Sequence, residues 1–206
     1  MEIHHIFPQP VYMSKLEREL TKDELNAMDK FRPRGRLTKT HQHLTRQSKE
    51  HYVLDTKELK NLKEDLNKIV VDYFEKVVCT SSSIFPHITQ SWFNYTQSEQ
   101  HLHQHSHQNS FVSGVFYPAA DKKSDKIEFL KSGYERIKLE YKKYNLYNSS
   151  SWTFPVETGD VILFPSHLIH GISTKKGTNL RVSLAFNVFF KGHLGKNIDL
   201  TELVLE

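Results

Sequence analysis

The apolar pattern of the chain changes period once, near residue 80, and that change limits the folds open to it. Before it, Leu59, Leu62, Leu66, Ile69, Tyr73, Phe74 and Val77 recur at spacings of three and four, with Lys and Glu filling the other face. This is the stripe of a helix that packs on a sheet, and Asp55-Thr-Lys-Glu58 reads as its opening. After it, the period becomes two. Strands are predicted at 88–96, 111–117, Lys126–Leu130, 134–141, 152–156, 161–164, 169–173 and 180–190, with turns at Thr158-Gly-Asp160 and Lys175-Lys-Gly-Thr-Asn179. Many short strands separated by turns make a sandwich or barrel. Upstream, 3–11 reads as an opening strand broken by Pro8 and Pro10. The capping box Thr21-Lys-Asp-Glu24 starts a short helix to about Phe31. Residues 32–47 are polar and basic, and read as a loop that can move beside a site. The fold class is therefore mainly β with N-terminal helices, α+β.

At 206 residues the chain is long enough for a real core and reads as one domain, 1–206. The formal charge is only +4. Basic density at Arg32-Pro-Arg-Gly-Arg36 and over 138–143 fits a solvated surface better than a nucleic-acid partner. A single cysteine, Cys79, excludes an internal disulfide framework, fits a reducing compartment and reads as a buried structural thiol. No apolar run approaches 18 residues and no leader-like segment opens the chain, so a cytoplasmic protein without a membrane segment is expected.

Thirteen histidines are present, and four of them alternate in His101-Leu-His-Gln-His-Ser-His107. On an extended strand these share one face. A row of imidazoles makes poor core and good metal chemistry, because neutral imidazole is a common metal ligand. The row alone fits a metal site and a solvated His-rich loop equally. Two downstream signals tip the balance. Phe164-Pro-Ser-His-Leu-Ile-His170-Gly and Leu180-Arg-Val-Ser-Leu-Ala-Phe-Asn187 put His170 and Arg181 eleven residues apart across a hairpin-like turn, which brings both into one pocket.

With these motifs the sequence resembles the iron(II)- and 2-oxoglutarate-dependent oxygenases, and more narrowly a group of small oxygenases of bacteria and phages. The resemblance rests on Trp92 and Asn94, His105-Ser-His-Gln-Asn-Ser110, Ser113-Gly-Val-Phe-Tyr117, Gly159-Asp-Val-Ile-Leu-Phe-Pro-Ser166, His170 and Arg181-Val-Ser-Leu-Ala-Phe-Asn187, with Phe7-Pro-Gln-Pro-Val-Tyr12 at the start. It implies a double-stranded β-helix (jelly-roll, cupin-like) core over 84–190, with 1–80 as a helical support. It implies Fe(II) held by His105, His107 and His170, and 2-oxoglutarate anchored by Arg181 with Ser183 and Tyr117. Asn94 is a further candidate for the pocket. The activity implied is hydroxylation of a small-molecule or peptidyl substrate, with release of succinate and CO2.

One departure matters. The superfamily's pair is His-x-Asp/Glu, whereas this chain has His-x-His. Glu128 as a fourth group or as a substitute for a histidine, or His103 in a shifted register, therefore stays open. Trp92, Phe116, Phe164 and Phe186 read as core. The insertion between Gly133 and Ser151, with Tyr134, Arg136, Tyr141, Tyr144 and Tyr147, reads equally as a cover over the substrate entrance and as a solvated hairpin. Two rival functions remain: a metal cupin enzyme that needs no 2-oxoglutarate, and a jelly-roll binding module without catalysis. Arg181 and Ser183, at their spacing from His170, argue against both.

Overall fold

The computed structural model describes residues 2–35, 41–133, 137 and 139–206. The elements in chain order are β1 (Tyr12–Lys15), α1 (Lys22–Phe31), β2 (Arg46–Gln47), α2 (Lys60–Tyr73), β3 (Ile84–Thr96), β4 (Leu102–His105), β5 (Val112–Ala119), β6 (Lys126–Leu130), β7 (Ser151–Pro155), β8 (Asp160–Pro165), β9 (Ile169–Ile172), β10 (Arg181–Leu194) and β11 (Leu203–Leu205). They form two sheets. The larger runs β1-β8-β5-β10-β3-β2, with β11 on the free end of β10, and the smaller runs β4-β9-β6-β7. Every strand pair is antiparallel.

Strand β10 explains how one sheet serves two purposes. Its even-numbered residues Val182, Leu184, Phe186 and Val188 join a core with Leu59, Leu62, Leu66, Val70 and Tyr73 of the helical layer. Its odd-numbered residues Arg181, Ser183, Ala185 and Asn187 face the other way, toward the smaller sheet, because strand side chains alternate. A second core, built on Val115, Tyr117, Ile127, Phe129, Ile162 and Phe164, fills the space between the sheets. Gly114 is required where β5 passes β10. A Cβ there would lie 2.1 Å from the Phe186 ring, so only hydrogen lets the ring lie flat in the core.

The first helix is set by its sequence. Thr21 and Glu24 form a reciprocal capping box, and the same carboxylate receives a fork of two hydrogen bonds from Arg18, at 2.7 and 2.8 Å. Burial works against the Glu24 carboxylate, but Arg18 and the Thr21 backbone N–H outweigh it and hold the carboxyl below the usual range.

Several expectations need correction. Residues 3–11 form no strand. Pairing starts at Tyr12, opposite Leu163, beyond the two prolines that cannot donate to a ladder. The second helix begins at Lys60, not at 55–58. Two 3₁₀ turns precede it, and Thr56 Oγ1 bonds back to the Val53 carbonyl instead of capping forward. Cys79 is exposed. It sits at a left-handed position (φ 55°) that ends a π turn over Phe74–Val78, so the chain turns away from the core there. Of the strand expected over 134–141, residues 134–136 and 138 lie outside the described residues, and 137 and 139–141 are not extended in a ladder. Arg36 of the basic stretch also lies outside them.

Candidate active site

The histidine row is not one strand. Strand β4 ends at His105, which stands opposite His170 of β9 in register. His107 follows two residues later, where its backbone N–H donates to the Ser166 carbonyl at 3.0 Å. A short strand, a turn and a neighbouring strand thus bring three rings together, with centroids 4.5 to 5.2 Å apart. Each offers one ligand nitrogen, and these nitrogens all lie within 4.8 Å of one another.

The outer nitrogens fix the tautomers. His105 Nδ1 lies 2.9 Å from the His103 carbonyl, His170 Nδ1 lies 3.0 Å from the Leu168 carbonyl, and His107 Nδ1 lies 2.5 Å from Asn187 Oδ1. All three partners are oxygen acceptors, so each Nδ1 carries its proton and each Nε2 presents a lone pair. Nε2 of His105 and Nε2 of His107 are 3.3 Å apart. Two lone pairs facing at that distance repel unless a cation lies between the rings. Burial also pushes all three imidazoles toward neutrality: it lowers His105 and His107 and takes His170 down to about 3. Neutral imidazoles, locked tautomers and convergent lone pairs fit a divalent metal.

Arg181 lines the same pocket as the three histidines. It is 2% exposed and forms no ion pair among the described residues. Nη2 donates to the Tyr117 hydroxyl at 3.4 Å, and the guanidinium lies 5.1 Å over the Tyr117 ring. Nε and Nη1 are buried without a partner among the described residues. A buried guanidinium with two unanswered donors requires an anion, because an isolated charge is expensive to keep out of water. Tyr117 is buried too, and burial pushes its phenol up, so it stays protonated and able to donate.

Ser183 and Asn94 are cross-strand partners that line this pocket. Asn94 Oδ1 accepts from Gln47 Nε2 at 3.1 Å, leaving its own amide N–H groups uncommitted there. The turn before Arg181 is pinned by a buried ion pair. Lys175 Nζ lies 3.4 Å from Asp125 and donates to the Gly177 carbonyl and to Asn179 Oδ1, while Asn179 donates back to Asp125. That cluster sets where β10 begins and hence where Arg181 enters the pocket.

The other expected participants stand apart. Glu128 accepts a hydrogen bond from Ser173 at 2.7 Å and lines a separate surface groove with His101 and His103, outside the three-histidine group. His103 is exposed and contributes its carbonyl instead of its ring. Trp92, expected in the core, is half-buried and lines the pocket, with its ring 5.5 Å from that of His107. The segment after Gly133 does not reach the histidine pocket with its described residues. Leu146 and Ser149 to Ser151 instead line an apolar groove with Ile6 and Phe7. Tyr134 and Arg136 of that segment lie outside the described residues.

Two contributors had no role assigned from sequence. Asn187 was signalled by parity with Arg181, Ser183 and Ala185 on β10. Gln47 stands on a two-residue strand in a polar stretch that carries no periodic signal.

Fold and site together define a class, an antiparallel β protein with a group of three histidines that could hold a metal ion beside a buried arginine. Residues 90–187, which contain all of the expected pocket residues, match the family described as "Putative 2OG-Fe(II) oxygenase". Over this segment, a little under half of the chain, the protein is similar to the iron(II)- and 2-oxoglutarate-dependent oxygenases, which makes it an oxidoreductase with iron(II) as its metal and 2-oxoglutarate as co-substrate. Solved structures share its fold at low identity. The carbocyclase SnoK from nogalamycin biosynthesis superposes with a TM-score of 0.61 at 10% identity, over 88% of this chain and 79% of that one. HygX from Streptomyces hygroscopicus, with nickel and 2-oxoglutarate bound, gives 0.56 at 12%, over 87% and 82%. A prolyl hydroxylase from Trichoplax adhaerens, in complex with a hypoxia inducible factor peptide fragment, gives 0.55 at 13%, over 87% and 83%. No curated protein matches the chain. No helix among the described residues is long and apolar enough to cross a membrane.

Proposed function

We propose that this protein is a dioxygenase that hydroxylates a C–H bond of its substrate while converting 2-oxoglutarate and dioxygen to succinate and CO2. His105, His107 and His170 would hold the iron, whose chemistry is the activation of dioxygen. Arg181 would bind the far carboxylate of 2-oxoglutarate as a planar, permanently charged fork. Tyr117 and Ser183 would add hydroxyl donors to the same carboxylate, and Asn94, oriented by Gln47, an amide N–H. In this reading the two sheets are the halves of a double-stranded β-helix over 84–190. Residues 1–80 are its helical support, within one domain spanning 1–206.

The observation that carries the reading is the pair of unanswered Arg181 donors in the pocket of the three histidines. A cupin enzyme without an acidic co-substrate has no use for that charge. The direct test is binding of 2-oxoglutarate to metal-loaded protein, together with its conversion to succinate. Arg181→Ala is expected to weaken 2-oxoglutarate binding by roughly 10–100-fold or more, as charge-assisted hydrogen bonds are worth about 1.5–3 kcal/mol. Undetectable 2-oxoglutarate binding by the unmodified protein overturns the proposal.

A further inference from the structure

Strand β3 carries a bulge whose effect reaches beyond the metal pocket. Its register with β10 runs Phe186 opposite Ser91 and then Val188 opposite Ile88, so Thr89 and Gln90 together face the single residue Asn187. The extra residue reverses the side-chain parity of β3. Ile88 stays in the helix-side core, while His87 and Thr89 turn to the side that Trp92 and Gln90 already occupy. Strand β10 continues on the same side with Phe189 and Lys191. The smaller sheet does not follow, because β4 stops at His105.

The result is an open trough. One groove of about 780 Å³ contains His105 and His107, and a second of about 1060 Å³ contains His87, Thr89, Phe189 and Lys191. They share Gln90, Gln108 and Asn187, so they form one path that leads away from the metal ligands. From Asn187 to Lys191 it runs four residue steps, roughly 13 Å at about 3.3 Å per residue. That length suits an extended chain and is unnecessary for a single small molecule.

The lining selects among chains. Gln47, Gln90, Gln108 and Asn109 carry primary amides, each a donor and an acceptor, as is every peptide unit. Charge is sparse: Lys191 and Glu206 at the far end offset each other, and no arginine is among the described lining residues. A phosphate backbone would demand several cations. Two of the rings are already engaged on one face, Trp92 against His107 and Phe189 against Phe190 at 4.6 Å, which leaves fewer ring faces for a base or sugar.

We propose that the trough binds the substrate as an extended peptide segment, with the residue to be oxidised at the His105–His107 end. This rests on the dioxygenase reading above for the chemistry but not for the binding. The test uses the full chain and a degenerate library of N-acetylated hexapeptide amides bearing one benzophenone photoprobe, without added metal or 2-oxoglutarate. Cross-links mapped by mass spectrometry are expected on the trough segments 87–92, 107–109 and 187–191. The double variant Gln90→Ala with Gln108→Ala is expected to lose them about tenfold, and single capped amino acids to bind at least tenfold more weakly than hexapeptides. Cross-links scattered elsewhere, equal binding of single amino acids, or preferential binding of neutral oligosaccharides or a 15-nucleotide oligothymidine overturns it. Binding of 2-oxoglutarate to the metal-loaded protein, measured on the same preparation, reports on the dioxygenase reading separately.

Discussion

Asn187 is a side chain whose importance lies in one hydrogen bond. It holds Nδ1–H of His107 and so decides which nitrogen of that ring faces the other two histidines. Asn187→Ala is expected to lower metal affinity by roughly 10–100-fold, the usual consequence of removing such an outer partner. Competition titration with a chromophoric chelator measures it, and Asn187→Asp, which still accepts, is expected to restore part of the loss. His170 makes a second prediction, for the metal-free protein. Burial takes its imidazole from the ordinary 6.5 to about 3 in the folded state. Between those values the unfolded chain takes up a proton that the folded one refuses. Its contribution to stability is therefore complete above about pH 6.5 and is lost progressively as the pH falls toward 3. Urea midpoints measured from pH 7 to pH 4 should fall, and His170→Gln should flatten part of that slope.

Among the elements, Gly114 offers the sharpest test of how the two cores meet. Gly114→Ala drives a methyl group into the Phe186 ring. It is expected to destabilise by about 1–3 kcal/mol in denaturant unfolding, the range for overpacking a close-packed core. The elements were legible where pattern and context agreed. The α2 stripe, the Thr21 capping box, and the strands around Phe129 and Leu163 all announce themselves, because their apolar spacing is the packing. The ends of elements were less visible. Where the helix after residue 55 starts depended on a backward hydrogen bond of Thr56, and the exposure of Cys79 depended on a left-handed turn, neither of which leaves a periodic trace. The candidate site was legible as a set of residue types, since His105, His107, His170 and Arg181 stand in motifs. Its supporting contacts were not, because Gln47 reaches Asn94 across a strand pairing that no spacing encodes. The fate of Glu128 and His103 also depended on register alone.

On the scale of the whole molecule, two sheets divide the labour. The larger is clamped by helices on one side and exposes on the other a face that the smaller sheet only partly covers. The three-histidine centre sits at the boundary between the covered and open parts. As metal ligands the three histidines would bring no negative charge, in contrast to a set containing a carboxylate, and the fixed charge among the described residues lining the pocket is the cation of Arg181. A divalent ion entering this pocket is thus repelled by the guanidinium and neutralised by no described residue lining it, while a dianion entering alone meets, among those residues, one positive group. Each guest supplies the counter-charge that the other lacks. Their affinities must then be coupled, and by equal factors in both directions. Because ligands of the folded state raise its stability in proportion to their affinity, the melting temperature should report the coupling. Iron(II) alone and 2-oxoglutarate alone should each shift it slightly, and the two together should shift it by clearly more than the sum. Strictly additive shifts would mean that the all-histidine centre manages its charge in some other way. If the coupling holds, the protein is selective about sequence as well as identity: it retains its metal firmly only when the co-substrate is present to be used.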